Sequence, residues 1–150
     1  MMERETAKSP FQMRDWRIVK FDYSNDIMFM EPNPGITWQF LFERQIQYDD
    51  DNKCYSGTLH IHYSASALEE DRKMTIDGDS YSFFTFETDQ ATENETRMES
   101  LLKLNGLTYS IGMLRNFIAS QSTVLGMRAH LILPSINLRN VEYGEVVTIQ

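Results

Sequence analysis

The clearest pattern along the chain is an alternation of large apolar and polar residues between positions 37 and 48. Successive side chains of a β-strand point to opposite faces, so this pattern predicts a half-buried antiparallel strand. Weaker alternation predicts three further strands. These are a long, kinked strand over 11–30, a strand over 58–64 that follows a charged turn at 49–53, and a strand over 81–88. Between the last two, residues 68–79 are predicted to form an acidic, mobile loop.

A second periodicity, of three and four residues, predicts one long amphipathic helix over 97–125. Thr96 and Glu99 fit a capping box at the start of the helix, in which each side chain accepts a hydrogen bond from the backbone N–H of the other residue. Gly126 is expected to end the helix. Gly106 weakens a helix by about 1 kcal/mol relative to alanine, which leaves open a break there and a shorter helix. The apolar positions of the helix, with one polar member, are Leu104, Leu107, Ile111, Leu114, Ile118, Gln121 and Leu125.

These elements predict an α+β fold in which a four-stranded antiparallel sheet packs against one long helix. A chain of 150 residues matches one domain. We expect a disordered N-terminal tail over 1–10, the folded domain over 11–138, and an irregular or extended C-terminal tail over 139–150.

Composition narrows the function mainly by exclusion. The formal charge of −8 repels nucleic acid and anionic lipid, so neither is expected as a partner. A single cysteine, Cys54, excludes an intrachain disulfide and a multi-cysteine metal site, which favours a reducing compartment. No apolar run approaches the roughly 18 to 20 residues of a membrane span. The cytoplasm is therefore the expected location.

The residues that could carry catalysis are few. His60 and His62 lie two residues apart and could ligate a metal with a third ligand, but a polar strand face explains them better, and His130 is isolated. Neighbouring aspartates disfavour a reactive thiolate at Cys54. We therefore predict no enzyme, no metal and no cofactor.

The sequence has more large apolar side chains than one sheet face can hold. Aromatics make up 12% of the chain, and methionines such as Met28 and Met30 add to them. The surplus fits a subunit interface or a binding groove, since methionine and flat aromatic side chains accept many apolar partners.

Four segments of the chain resemble, in order and spacing, the SecB protein-export chaperones, which are homotetramers that hold unfolded preproteins for the translocase. The segments are 25–34 (NDIMFMEPNP), Trp38-Gln39, 55–68 ending in SASAL, and 131–138 (LILPSINL). The resemblance spans about 11–138. It implies a peptide groove and a long helix at the assembly interface.

The resemblance also assigns roles to individual residues. Groove positions of the family fall on Trp38, Phe42, Arg44 and Ile46, and the fourth strand adds Phe84 and Phe86. Asp26 matches an acidic residue that contacts the export motor ATPase, whereas the family's second acidic position is Met30 here. The family's second helix corresponds to 139–150, which has an extended pattern in this chain.

The resulting hypothesis is an ATP-independent chaperone, or holdase, that binds unfolded polypeptide segments as a homotetramer (a dimer of dimers), with the export motor as a further partner. Three alternatives stay open: a dedicated chaperone of one partner such as an antitoxin, a thioesterase of hot-dog type, and an oligomeric scaffold without a groove.

Overall fold

The computed structural model describes residues 10–27, 35–88, 91–125 and 131–150. Several predictions lie outside these ranges. They concern the N-terminal tail up to residue 9, the strand ending at Met28 to Met30, the helix stop at Gly126, and His130.

The described strands form one antiparallel sheet of five strands, so the prediction of four is wrong by one. The order across the sheet is β1-β4-β3-β2-β5. The extra strand comes from the C-terminal VVTI segment, which pairs with β2 from Trp38 to Leu41. The strands are β1 (Phe11–Asn25), β2 (Thr37–Asp49), β3 (Cys54–Glu69), β4 (Arg72–Glu87) and β5 (Val146–Ile149).

The predicted mobile loop at 68–79 is instead part of a long hairpin. β3 and β4 pair without interruption from Cys54–Glu87 to Glu69–Arg72. The two residues between them, Glu70 and Asp71, make the turn, and Glu70 takes a positive φ of 57°. Such turns are normally marked by Asn-Gly or Asp-Gly, and their absence here explains why the pattern suggests a loop.

The helix is continuous and longer than predicted. It comprises α1 (Ala91–Leu101), a π-helical turn (Leu102–Gly106) and α2 (Leu107–Val124). The predicted start near Arg97 is wrong because the helix begins at Ala91, which places Thr96 inside it. Glu99, the other half of the expected capping box, pairs with Arg44 on β2 instead.

The π-helical turn changes which side chains face the sheet. The N–H of Leu107 donates to the carbonyl of Leu102, five residues back, so the turn holds one extra residue. Leu102 is consequently buried, whereas Leu104, predicted to lie in the seam, is 51% exposed. After the turn the predicted spacing holds as far as Ile118, and Leu107, Ile111, Leu114 and Ile118 are all buried. The predicted end of the seam is wrong, because Leu125 is 38% exposed and Ser122 is buried instead.

The helix covers one face of the sheet, here called the helix face. Gly57 on β3 lets the helix approach closely, because a Cβ there would lie 2.8 Å from side-chain atoms of Leu102 and Met98. The C-terminal segment (131–150) adds Leu131, Leu133 and Val141 to the same buried cluster. No helix among the described residues is long and apolar enough to cross a membrane.

Candidate functional site

The aromatic residues predicted on β2 form a stacked row on the helix face. The rings of Trp38 and Phe40 are 5.9 Å apart and nearly parallel, and Phe40 and Phe42 follow at 6.1 Å. Trp38 is 3% exposed and Phe42 is fully buried. Strand alternation places every second side chain of β2 on this face, which is why the row is continuous. In this chain the row is part of the core.

The predicted residues of β4 are equally covered. Phe84 stacks on Phe11 of β1 at 5.2 Å. Phe86 lies beneath the guanidinium group of Arg97, whose Cζ is 5.6 Å from the ring centroid. Both phenylalanines are nearly buried.

Arg44 connects three parts of the fold at the rim of the helix face. Its Nη2 lies 2.9 Å from Oε1 of Glu99 on the helix. Its Cζ lies 5.2 Å from the ring centroid of Tyr143 in the C-terminal segment. Burial raises the pKa of the Tyr143 phenol. Ile46, two residues further along β2, is half-buried and packs against the core.

The structure therefore brings four of the predicted groove residues into the core and leaves two at its rim. Trp38 and Phe42 become accessible to another polypeptide only if neighbouring segments of the chain move. Asp26 is exposed just beyond β1, where its N–H donates to the carbonyl of Lys73. The roles of all seven residues in binding remain predictions.

An open apolar groove, absent from the sequence prediction, lies between the start of β1 and the helix. Its volume is about 480 Å³. Tyr109 and Met113 are 56% and 41% exposed there, and a Cβ on Gly112 would meet nothing within 4 Å. The signal in the sequence was the spacing of four between Tyr109 and Met113, off the buried seam. The groove is lined by Phe11, Gln12, Met13, Thr108, Tyr109, Gly112 and Met113.

The opposite, outer face of the sheet holds the two histidines. Nε2 of His60 and Nδ1 of His62 both lie within hydrogen-bond distance of Oδ1 of Asp79, at 2.7 and 2.9 Å. Burial acts to raise the pKa of the Asp79 carboxyl, but the two histidines outweigh it, so that this pKa lies below its ordinary value. Among the described residues no group of three His, Cys, Asp or Glu side chains could hold a metal ion.

The polar groups buried under the helix are poorly suited to acid–base catalysis. Within the described ranges the buried polar groups on this face include the hydroxyls of four serines and of Tyr63, whose pKa is raised by burial. Ser110 on the helix donates to Oγ of Ser82 on β4 at 2.7 Å. The Cys54 thiol donates to the carbonyl of Tyr55 at 3.3 Å, at the start of β3. A thioesterase of hot-dog type would need a carboxylate or a histidine near the helix.

The fold is that of a SecB-like α+β protein, in which a long helix crosses one face of an antiparallel sheet. It is similar to the Mycobacterium tuberculosis Rv1957 SecB-like chaperone, solved in complex with a ChAD peptide from the Rv1956 HigA1 antitoxin. The TM-score is 0.58 at 16% identity, over 84% of this chain and 90% of that one.

A protein of unknown function from Streptococcus agalactiae is also similar, with a TM-score of 0.52 at 10% identity over 83% of this chain and 97% of that one. A scan against protein-family models finds no match, and a search of curated protein sequences finds none either. The likeness therefore concerns the fold.

Proposed function

We propose that this protein is an ATP-independent holdase that binds apolar segments of non-native polypeptides. The observation that carries the proposal is the open apolar groove between β1 and the helix on a SecB-like fold. Two methionines and two aromatic rings line this groove, and such side chains adapt to many apolar partners without one fixed geometry.

The size of the groove supports weak, repeated contacts rather than one tight site. A volume of about 480 Å³ is within the range of small-ligand pockets, so it accommodates a few side chains of a client at a time. A homotetramer would carry several such grooves, and linked weak sites raise the effective concentration for one long client. The exposed stripe of the helix at Leu104, Tyr109 and Met113 is the surface we propose for either assembly or client contact.

The predicted β2 and β4 residues form a second, covered part of the binding surface in this proposal. Arg44 and Ile46 lie at its rim, and Trp38, Phe42, Phe84 and Phe86 become available to a client when the segments packed over them move. The net charge of −8 keeps a loaded complex soluble and favours clients with positive charge.

A dedicated chaperone of one partner is the second candidate, and one observation favours it. Rv1957 was solved with a peptide from an antitoxin. We propose an antitoxin-like client as one specific form of the holdase function, acting in the cytoplasm. Contact of Asp26 with an export motor is the weaker proposal, because the family's second acidic position is Met30 in this chain.

Suppression of aggregation tests the proposal. A chemically unfolded client is diluted into buffer without nucleotide, and light scattering is followed with and without the protein. We expect suppression by the wild type and at least a severalfold loss in Met113→Glu, because a carboxylate would enter the groove. Val124→Glu adds the same charge to an exposed position of the same helix, eleven residues or about 16 Å beyond Met113, and serves as the control. No suppression by the wild type at molar excess overturns the proposal.

A further inference from the structure

The outer edge of β2 is only partly occupied by β5. β2 pairs with β3 along its whole length, from Thr37–Ser66 to Asp49–Cys54. On its other side β5 pairs only with residues from Trp38 to Leu41, and the N–H of Gly144 donates to the carbonyl of Phe42 at 2.9 Å. Among the described residues no strand follows along the edge from Glu43 to Asp49.

Gly144 explains why the occupied stretch ends where it does. Its φ is +83°, a conformation that residues with a side chain rarely adopt, so the chain can turn sharply there. Tyr143, just before the turn, lies against Arg44 on the helix face rather than beside the edge of β2. The C-terminal segment thus reaches the edge only from Gly144 onward, and no other strand among the described residues covers the remainder of the edge.

The open stretch presents a definite set of backbone groups. In a strand the N–H and C=O of one residue point to the same side, and those of the next residue point to the other side. Because the carbonyl of Phe42 points outward, the N–H and C=O groups of Arg44, Ile46 and Tyr48 point outward as well. Those of the intervening residues are used in the pairing with β3.

The side chains beside this edge differ between the two faces. Ile46 and Tyr48 lie on the helix face and pack against the core. Glu43, Gln45 and Gln47 lie on the outer face and are exposed. An added strand would therefore meet an apolar surface on one side and a polar, partly acidic surface on the other. Residues 147–149 of β5 already have this alternation, since Val147 and Ile149 pack against the core while Thr148 between them is exposed.

We propose that the edge of β2 from Glu43 to Asp49 is a strand-addition site for an extended client segment with apolar residues at alternate positions and basic or polar residues between them. The inference rests on the proposed holdase function and specifies how the client is held. Backbone hydrogen bonds supply sequence-independent affinity, and the alternate side chains supply the preference. β5 is the internal example of such a segment on the same edge.

Backbone methylation of a peptide tests the site directly. The probe is a fluorescent eight-residue peptide that alternates valine with lysine or threonine. One isomer carries N-methyl groups on the valines, and the other carries them on the residues between. A bound strand directs only one of these sets toward β2. By fluorescence anisotropy we expect one isomer to bind like the unmodified peptide. The other should bind at least about tenfold more weakly, because its N-methyl groups replace the N–H groups that would donate to the outward carbonyls of β2. Equal affinity of the two isomers overturns the inference.

A variant of the protein locates the site on β2. Proline at position 46 removes one outward N–H and is tolerated on an edge strand, so Ile46→Pro is expected to stay folded and to lose the difference between the isomers. Ile46→Ala removes the side chain but keeps the N–H, and it is expected to preserve that difference. Circular dichroism checks folding. If Ile46→Pro retains the difference, the strand binds elsewhere and the inference fails.

The same variant separates this inference from the holdase proposal. If the wild type and Ile46→Pro suppress aggregation equally, the holdase function stands and strand addition is wrong. If the edge instead joins two copies of the chain, Ile46→Pro will lower the sedimentation coefficient while no peptide binds, which also overturns the inference.

Discussion

Removal of the Arg44 side chain is expected to loosen the C-terminal segment without unfolding the domain. Arg44 makes an ion pair with Glu99 and a cation–π contact with Tyr143. The Arg44 side chain is 33% exposed and that of Glu99 is 45% exposed, so solvent screening keeps the ion pair within about 0.2 to 1 kcal/mol. The cation–π contact adds roughly 0.5 to 1 kcal/mol. Only the cation–π contact involves the C-terminal segment, so Arg44→Ala weakens the docking of this segment by about 0.5 to 1 kcal/mol.

Hydrogen exchange measures this change residue by residue. A loss of about 0.5 to 1 kcal/mol corresponds to roughly two- to fivefold faster opening of β5, so the amides of Val147 and Ile149 should exchange about two- to fivefold faster in Arg44→Ala. Amides in the β3–β4 hairpin should be unaffected. Arg97→Ala is the matched control, because Arg97 also makes a cation–π contact from α1 but reaches Phe86 instead of the C-terminal segment. Unchanged exchange of β5 in Arg44→Ala would refute the reasoning.

Three further predictions concern packing and charge. Leu114→Asp should prevent folding because Leu114 is fully buried. Leu104→Asp should fold normally because the π-helical turn exposes Leu104. Far-ultraviolet circular dichroism distinguishes the two results. Gly57→Ala should lower the free energy of unfolding by about 1 to 3 kcal/mol, because the added methyl group overpacks against Leu102 and Met98. Gly112→Ala has open space around it and should raise the free energy of unfolding by up to about 1 kcal/mol. An unchanged melting temperature in both variants would contradict the described packing. The lowered pKa of Asp79 means that its contribution to stability is present above the ordinary carboxyl pKa of about 3.9 and is lost as the pH falls through the lower folded value. Urea unfolding of Asp79→Asn should therefore show less stability than the wild type at neutral pH and a smaller loss in that acid window, and parallel pH profiles would disprove this assignment.

The strands could be predicted where one face of the strand is buried and the other face is exposed to solvent. β2 and β3 alternate regularly, and their pairing without bulges follows from that alternation. β4 was predicted too short because its first half has only two large apolar residues, Met74 and Ile76, among polar and charged ones, and the preceding turn lacks the glycine that marks a hairpin. β5 was predicted only as part of an irregular or extended tail, because four residues, exposed and half-buried in alternation, carry too little signal to indicate a strand of the sheet.

The helix shows what a fixed period cannot reveal. The spacing from Leu107 to Ile118 is regular and was predicted correctly. The π-helical turn inserts one residue before that stretch. Continuing the same spacing toward the N-terminus therefore predicts that Leu104 is buried, whereas Leu102 is the buried residue. Gly106 marks this turn for a steric reason, since a Cβ there would lie 3.0 Å from Leu59.

The candidate site was only partly predictable. The row from Trp38 to Phe42 was located correctly on β2, but it is buried in a core that residues from the helix and the C-terminal segment share, which a local pattern cannot show. The open groove joins residues more than one hundred positions apart, from Phe11 to Met113, and such a contact follows only from the tertiary arrangement.

Direct binding of one client in two conformational states tests the central claim. A small globular protein is prepared in its native form and in a reduced, carboxymethylated form that stays unfolded, and each is titrated against this protein by isothermal calorimetry without nucleotide. The account predicts binding of the unfolded form with a negative heat-capacity change, from the burial of apolar surface, and no binding of the native form. Equal binding of both forms, or binding of neither, would contradict it.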